Sequence, residues 1–389
     1  MEAIYLDSAA TTKPVDSIIE AIKPYIETDW YNPSALYSKG KKIKDKIEEV
    51  RSLVAKELHA KSQEIYFTSG ATESNHWVIR GFIDECKVEK KQPIIITTHI
   101  EHKSIKECIK NLCCIESDLR YEYLSVNNYG EIKIRELEEV LKYLMKNDVT
   151  NEIKILVSIG MANSEIGTIQ NIKEISKMVH RYKAILHTDA TQAFGHIPIN
   201  VNVLGIDFLT ASAQKLGGIK GTGFLYKREG VNIKPLIYGS QEKGRRGGTE
   251  NVIGIVALGE AIKQIDYDSE RIMLSSARNY MIKELVDRFH CKINGSIDHR
   301  LPNNINATFP QAITGEGLIY MLDMCNIYIS SGSACNSYSL KPSSTLQTIG
   351  LSEDEISRTI RITLPRDITQ KQMDRAINEI EKQIQVLTM

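Results

Sequence analysis

Two stretches, Ala184-Ile-Leu-His-Thr-Asp189 and Ser212-Ala-Gln-Lys215-Leu-Gly-Gly-Ile-Lys-Gly-Thr-Gly223, decide how this chain of 389 residues folds. The first is a short apolar run that ends on a carboxylate. The second continues the apolar run Ile206 to Ala211 and ends it on a lysine at the edge of a glycine-rich turn. Both read as buried strands that deliver a charged side chain to the edge of a sheet. Further β-rich runs stand at Glu64 to Phe67, Pro93 to Thr97, Ile153 to Ile159 and Gly223 to Tyr226, alternating with helical stretches. That alternation predicts an α/β fold whose mainly parallel sheet is covered by helices on both faces.

Farther out, Ile43, Ile47, Val50, Val54 and Leu58 recur at helical spacing between Ser38 and His59, with lysines and glutamates on the other face, as in a surface helix over a core. The chain is longer than one hydrophobic core usually serves. Residues 15–259 are expected to form a large domain. After about Gly259 the pattern changes to helices with scattered strands, and residues 1–14 with 260–389 are expected to form a smaller α+β domain. Its last helix opens on Thr369-Gln-Lys-Gln372, a capping box, and sets Met373, Ile377, Ile380, Ile384 and Leu387 on one face.

Lysine plus arginine equals aspartate plus glutamate at 49 each, so the whole-chain field offers no general attraction to nucleic acid or to an anionic membrane. Any phosphate chemistry must be local. No uncharged apolar run approaches the length that spans a bilayer, and the start Met-Glu-Ala-Ile-Tyr-Leu-Asp lacks a basic stretch followed by an apolar one. The expectation is a cytoplasmic protein that binds neither membrane nor nucleic acid directly. Seven cysteines, an odd number, argue for reduced thiols. Cys86, Cys108, Cys113, Cys114, Cys291 and Cys325 form no CxxC pair and have no histidine at zinc-finger spacing, so no metal site is expected and each reads as a small packing residue.

In parallel sheets ligands sit beyond the carboxyl ends of the strands, and the unusual polar residues fall there. Ser69-Gly-Ala-Thr72 joins a strand to a helix start, fitting an anion cradle and equally a plain helix cap. Asp189 fits the partner of a protonated pyridine nitrogen or, again, a cap. Lys215, at a strand end with Ser212 nearby, fits an amine that forms a Schiff base. Arg361, in Thr359-Ile-Arg-Ile-Thr363, fits a clamp on a substrate carboxylate or an edge-strand charge. Cys335 follows an apolar strand in the small polar run Ser330-Ser-Gly-Ser-Ala-Cys-Asn-Ser-Tyr-Ser339, which predicts an accessible loop at about 330–344.

Taken in order, Tyr5-Leu-Asp-Ser-Ala-Ala-Thr-Thr12, Phe67-Thr-Ser-Gly-Ala-Thr-Glu-Ser-Asn75, Glu101-His102, Asn163-Ser-Glu-Ile-Gly-Thr168, His187-Thr-Asp-Ala-Thr-Gln192, Lys215, Arg246-Gly-Gly-Thr249 and Ser331-Gly-Ser-Ala-Cys335 resemble the cysteine desulfurases of the NifS/IscS type. These are fold-type-I, aminotransferase-like enzymes that use pyridoxal 5'-phosphate. The resemblance runs nearly end to end and implies roles for single residues. Lys215 would be the Schiff-base lysine and His102 the ring stacked on the cofactor that assists proton transfer. Asp189 would meet the pyridine nitrogen, with Asn163 and Gln192 near the phenolic oxygen. Ala71, Thr72 and Ser212 would hold the phosphate, and Thr249 would reach the phosphate of the other subunit in a homodimer. Arg361 with Asn32 would bind the carboxylate of L-cysteine.

The implied reaction turns L-cysteine into L-alanine, with the sulfur taken by Cys335 as a persulfide and passed to an acceptor protein for iron-sulfur cluster assembly or for tRNA or cofactor thiolation. The Cys335 loop, longer than in the SufS type, implies direct transfer to partner proteins. Three departures stand out: Gln214 where the family usually has histidine, Gly218-Ile-Lys-Gly221 for Gly-Pro-Lys-Gly, and Asn32-Pro-Ser-Ala-Leu-Tyr37 for a stretch ending in histidine. Gln214 can hydrogen-bond the cofactor but cannot titrate. Two other readings stay open: a different pyridoxal-phosphate aminotransferase or lyase, and a weakly active scaffold in sulfur transfer.

Overall fold

The strands form where β-branched and aromatic residues cluster. In chain order they are β1 (Ile4–Tyr5), β2 (Ile65–Thr68), β3 (Gln92–Thr98), β4 (Arg120–Leu124), β5 (Ile153–Ser158), β6 (Ile185–Asp189), β7 (Phe208–Ser212), β8 (Gly223–Lys227), β9 (Lys292–Ile293), β10 (Asn304–Thr308), β11 (Ile327–Tyr328), β12 (Ser330–Ser331) and β13 (Thr359–Thr363). The structure, a computed structural model, describes residues 2–148, 151–310, 313–332 and 342–388. The loop expected around Cys335 lies largely outside the described residues, and Cys335 itself does.

Strands β2 to β8 make one seven-stranded sheet in the order β2-β8-β7-β6-β5-β3-β4. β4, β3, β5, β6 and β7 pair in parallel, and β8 runs antiparallel to both β2 and β7. Alternate residues of each strand enter two different apolar layers. Phe67, Ile94, Ile96, Ile155, Val157, Leu209 and Phe224 belong to one cluster, while Tyr66, Ile95, Leu156, Phe208 and Leu225 belong to another with Trp77 and Phe82 of the helix Ala71–Glu89. Both faces are therefore covered, which is why these runs are apolar throughout instead of alternating. The α/β expectation holds.

β4 was not among the expected strands. It is one edge of the sheet, and Arg120, Tyr121 and Glu122 are exposed, so its composition is that of a guarded edge and not of a core strand, unlike β2 at the other edge, which is buried.

A second sheet has the order β12-β13-β10-β9, and β1 pairs in parallel with β11. Its core joins Ile4 and Leu6 to Ile305, Ile360 and Ile362, to Leu274, Met281 and Leu285 of the helix Tyr267–Phe289, and to Met373, Ile377 and Ile380 of the helix Gln370–Thr388. The capping box at Thr369 is formed: Gln372 donates its backbone N–H to the Thr369 hydroxyl, and its side-chain oxygen accepts from Thr369 N.

The helix Val252–Lys263 crosses position 259 unbroken and keeps Ile255, Leu258, Ala261 and Ile262 in the first sheet's core. Leu346, Ile349, Leu351 and Ile356 also pack with that core, although they come late in the chain.

Candidate active site

A cavity of about 470 Å³ lies beyond the carboxyl ends of the parallel strands. Ser69 to Glu73 reach it from the end of β2, Ile100 to His102 from β3, Gly160 and Ala162 to Glu165 from β5, Asp189 from β6, and Ser212, Gln214 and Lys215 from β7. Ala9 and Ala10 enter from the N-terminal segment and Arg361 from β13, so the second sheet completes the wall. The sequence-predicted residues Ala71, Thr72, His102, Asn163, Asp189, Gln192, Ser212, Gln214, Lys215 and Arg361 all line this cavity.

The end of the cavity at the start of the helix Ala71–Glu89 is built by close backbone approach. The helix Ala71–Glu89 starts at Gly70 without a side-chain cap, which leaves its first-turn amides to face a ligand. The turn that carries Gly70 presses on the start of β8: a Cβ on Gly223 would stand 2.6 Å from Gly70 Cα and 2.5 Å from the Ala211 carbonyl oxygen. Only glycine lets the helix start and the Ser212 strand end converge there.

Across the cavity, Asp189 Oδ1 accepts from Thr191 N at 2.9 Å and Oδ2 from Asn75 Nδ2 at 2.8 Å, which aims a fixed carboxylate. Lys215 Nζ donates to the Ala9 carbonyl at 2.7 Å and to that of Ala10, and Gln192 Nε2 donates to the same Ala9 carbonyl at 3.1 Å. The N-terminal segment is held in return: Thr12 N and Oγ1 donate to the Gln214 carbonyl.

His102 caps the helix Lys103–Cys113, and its Nδ1 accepts from Ser104 N at 3.1 Å. A backbone amide only donates, so Nδ1 is bare and the ring proton sits on Nε2. Burial pushes the pKa of His102 down, helped by Lys215, Lys106 and Lys103, while Asp189 opposes the shift. Neighbouring Glu101 accepts from Thr98 Oγ1 and Gly160 N, each at 2.7 Å, yet burial raises its pKa to about 7.

Arg361 is buried and held on two sides, with Nη2 on Asp7 Oδ1 at 2.6 Å and Nη1 on the Ser164 carbonyl at 3.2 Å. Asn163 spends Oδ1 on the amides of Glu165 and Ile166 and donates Nδ2 to the Ile100 carbonyl at 2.9 Å.

Two expected residues are not brought to the cavity. Asn32 is exposed, and its Oδ1 accepts from Ser34 N at 2.8 Å in a local turn. Thr249 is exposed outside the cavity lining. Cys335 lies outside the described residues, but the chain that flanks it is anchored at the cavity. Ser330 pairs with Arg361, Ser344 lines the wall and accepts from Lys106 Nζ at 2.6 Å, and the Ser343 and Thr345 hydroxyls donate to Glu165. Asp7, Asn75, Lys106 and Glu165 had no role in the sequence reading. Asp7, Asn75 and Glu165 stood inside the quoted motifs as polar residues among small ones, which was the available signal.

Three of the other thiols, the buried Cys86, Cys108 and Cys291, are poorly suited to nucleophilic work, because burial pushes each up to about 12. Among the described residues, no helix is long and apolar enough to cross a membrane.

An amine, a fixed carboxylate, a neutral imidazole and an anion cradle in one cavity form a set that can hold a phosphorylated aldehyde and act on an amino acid. Comparison with known proteins agrees. Residues 4–376 match the family described as aminotransferase class-V. The protein named cysteine desulfurase IscS from Dictyoglomus turgidum is 40% identical over 99% of this chain and 95% of its own length. One of the same name from Methanosarcina thermophila is 39% identical over 99% and 93%. Among solved structures, a NifS-like protein superposes with a TM-score of 0.88 at 31% identity, covering 99% of this chain and all of its own. A structure described as SspA in complex with cysteine does so at 0.80 and 33%, covering 93% and 99%. With the motifs, the fold and the cavity in agreement, the chain belongs to the class-V aminotransferase family of pyridoxal-phosphate-dependent enzymes.

Proposed function

We propose that this protein is a cysteine desulfurase that releases L-alanine from L-cysteine and keeps the sulfur on Cys335 as a persulfide for an acceptor protein. The observation that carries this reading is the single cavity that gathers Lys215, Asp189, His102, Ser212 and an uncapped helix start, in a chain that aligns end to end with relatives of that name.

The residues fit pyridoxal phosphate. The first-turn amides at Ala71 and Thr72 with the Ser212 hydroxyl would hold its phosphate, Asp189 its ring nitrogen and Lys215 its aldehyde carbon, while Asn163, Gln192 and Gln214, which line the same cavity, would border the ring. When bound there, the cofactor supplies an electron sink that labilises bonds at the substrate's Cα and Cβ.

The chain's own groups do the rest. Arg361, steadied by Asp7, meets the cysteine carboxylate. His102 presents a proton at Nε2. The Lys215 amine lines the same cavity, where it can take a proton from the substrate. Cys335 forms an S–S bond with the substrate sulfur as the Cβ–Sγ bond breaks, a proton returns to Cβ, and alanine leaves.

The acceptor is proposed to be a protein of iron-sulfur assembly or thiolation. A reducing cytoplasm suits a chain with an odd number of thiols. We also read the protein as a homodimer. Trp30, Leu36 and Tyr37 beside Asn32, and Tyr238 near Thr249, leave large apolar surfaces in solvent, and a second subunit would cover them and bring Thr249 to the neighbouring phosphate site.

The test is incubation of the purified protein with L-cysteine and a thiol reductant, measuring alanine and sulfide beside Lys215→Ala and Cys335→Ala. Equimolar products that vanish in both variants are expected. Absence of alanine from the unaltered protein refutes the reading and leaves a scaffold or another lyase; full turnover by Cys335→Ala removes that thiol from the mechanism.

A further inference from the structure

Asn75 lies in the first turns of the helix Ala71–Glu89 and is wholly buried. A buried carboxamide needs its partners, and each of these is a polar group behind the cavity wall. Asn75 Oδ1 accepts from Thr210 Oγ1 at 2.7 Å, while Nδ2 donates to Asp189 Oδ2 at 2.8 Å and to Ser104 Oγ at 2.9 Å. The carboxylate settles which end of the amide is nitrogen, because an oxygen facing Asp189 Oδ2 would set two acceptors together. Both Nδ2 hydrogens are thereby committed.

Ser104 Oγ must then accept from Asn75, and its own proton is left for His102 Nδ1, 2.8 Å away. The backbone N–H of Ser104 donates to the same Nδ1. The chain has one direction: from the amide of Asn75, through the Ser104 hydroxyl, to a bare imidazole nitrogen.

We propose that Asn75, acting through Ser104, is a positioning residue that ties Asp189 to His102 and fixes the direction of the hydrogen bonds between them, so that His102 is kept neutral with its proton on Nε2. This rests on the reading of Asp189 and His102 as the groups that flank the cofactor. One amide nitrogen sets the spacing of the carboxylate and the imidazole. Neither group can shift without straining the other's hydrogen bond.

A donor aimed at the lone pair of Nδ1 stabilises the neutral ring, so its removal makes His102 easier to protonate. The charged groups that bear on His102 are Asp189, Lys215, Lys106 and Lys103. Substitution of Ser104 by an uncharged residue touches none of them, which leaves the hydrogen-bond chain as the variable, whereas Asn75→Ala also takes one hydrogen bond from Asp189 and releases the Ser104 hydroxyl to turn.

The experiment is the protonation midpoint of His102 read from side-chain 15N shifts in histidine-labelled holoenzyme, with the signal assigned by its loss in His102→Gln. In Asn75→Ala and in Ser104→Ala the midpoint is expected to rise by about one pH unit, whereas Ser104→Thr, which keeps the hydroxyl, stays at the wild-type value. In parallel, kcat should fall about 10- to 100-fold in Asn75→Ala with KM for cysteine unchanged, as for groups that orient a reacting side chain. A midpoint unmoved in both alanine variants, or moved as far in Ser104→Thr, overturns the proposal. Should Asn75→Ala fail to fold, the two Ser104 variants decide it alone. The midpoint is read without turnover, so failure of the hydrogen-bond chain and failure of the desulfurase reading are distinguishable.

Discussion

Glu101 offers the sharpest quantitative test of the cavity wall. It is a carboxylic acid directly before His102, only 7% exposed, between two donors: Thr98 Oγ1 on Oε1 and Gly160 N on Oε2. These favour the ionised form. Burial, reinforced by Asp189, opposes them and wins, raising the pKa to about 7. In the unfolded chain the group ionises at about 4.3 to 4.5. Between those values the native state binds a proton that the unfolded state has lost, so native stability falls as pH rises through that window and stays lowered above it. A difference of about 2.5 pH units corresponds to about 3 kcal/mol.

Glu101→Gln removes this penalty and keeps the shape. Its Oε1 can accept from Gly160 N while Nε2 donates to Thr98 Oγ1, whose hydroxyl can rotate away. For a chain of this length the unfolding entropy is about 0.8 kcal/mol per kelvin, which converts the gain to about 4 °C in Tm. The assay is calorimetry of the holoenzyme at constant ionic strength across the window. Glu101→Gln should exceed the unaltered protein by about 4 °C near pH 8 and match it near pH 5. An equal offset at both pH values, or a less stable variant near pH 8, would refute the assignment of a buried proton to this side chain.

Other outcomes follow from the same geometry. Arg51 Nη1 and Nη2 sit on Glu242 at 2.7 and 2.8 Å with both groups buried, so Arg51→Met should cost about 3–5 kcal/mol in denaturant unfolding, while Arg51→Met with Glu242→Leu recovers most of it; a double variant as unstable as the single one contradicts this. Ser212→Ala, which removes a hydroxyl from the anion cradle, should weaken pyridoxal-phosphate binding about tenfold by absorbance titration, and an unchanged Kd places the phosphate elsewhere. Arg361→Lys loses the planar two-pronged donor, and KM for cysteine should rise about 10- to 100-fold with a smaller change in kcat; steady-state kinetics with KM unchanged would remove Arg361 from carboxylate binding.

Much of this was legible in the chain because burial on both faces of a sheet writes itself as uninterrupted apolar runs, and a charged residue at the end of such a run is conspicuous. Asp189, Ser212 and Lys215 were found in that way, and so was the C-terminal helix, through its cap and its apolar stripe. The edge strand Arg120–Leu124 was not, because an edge in water is composed like a loop.

Roles set by contact over long sequence separations were hidden altogether. Asn75 looks like any polar residue in a helix until the fold sets it against Asp189, Ser104 and Thr210. Arg361 reads as a free cation until Asp7, 354 positions away, is found beside it. Asn32, expected at the substrate, instead closes its own turn. Local composition determined which segments would be the buried strands of the main sheet and which side chains would stand at their ends. Only the tertiary structure decided which of those ends meet in one cavity, which charges are already paired, and in which direction the hydrogen bonds run, because each of these depends on residues that approach through folding and not through sequence.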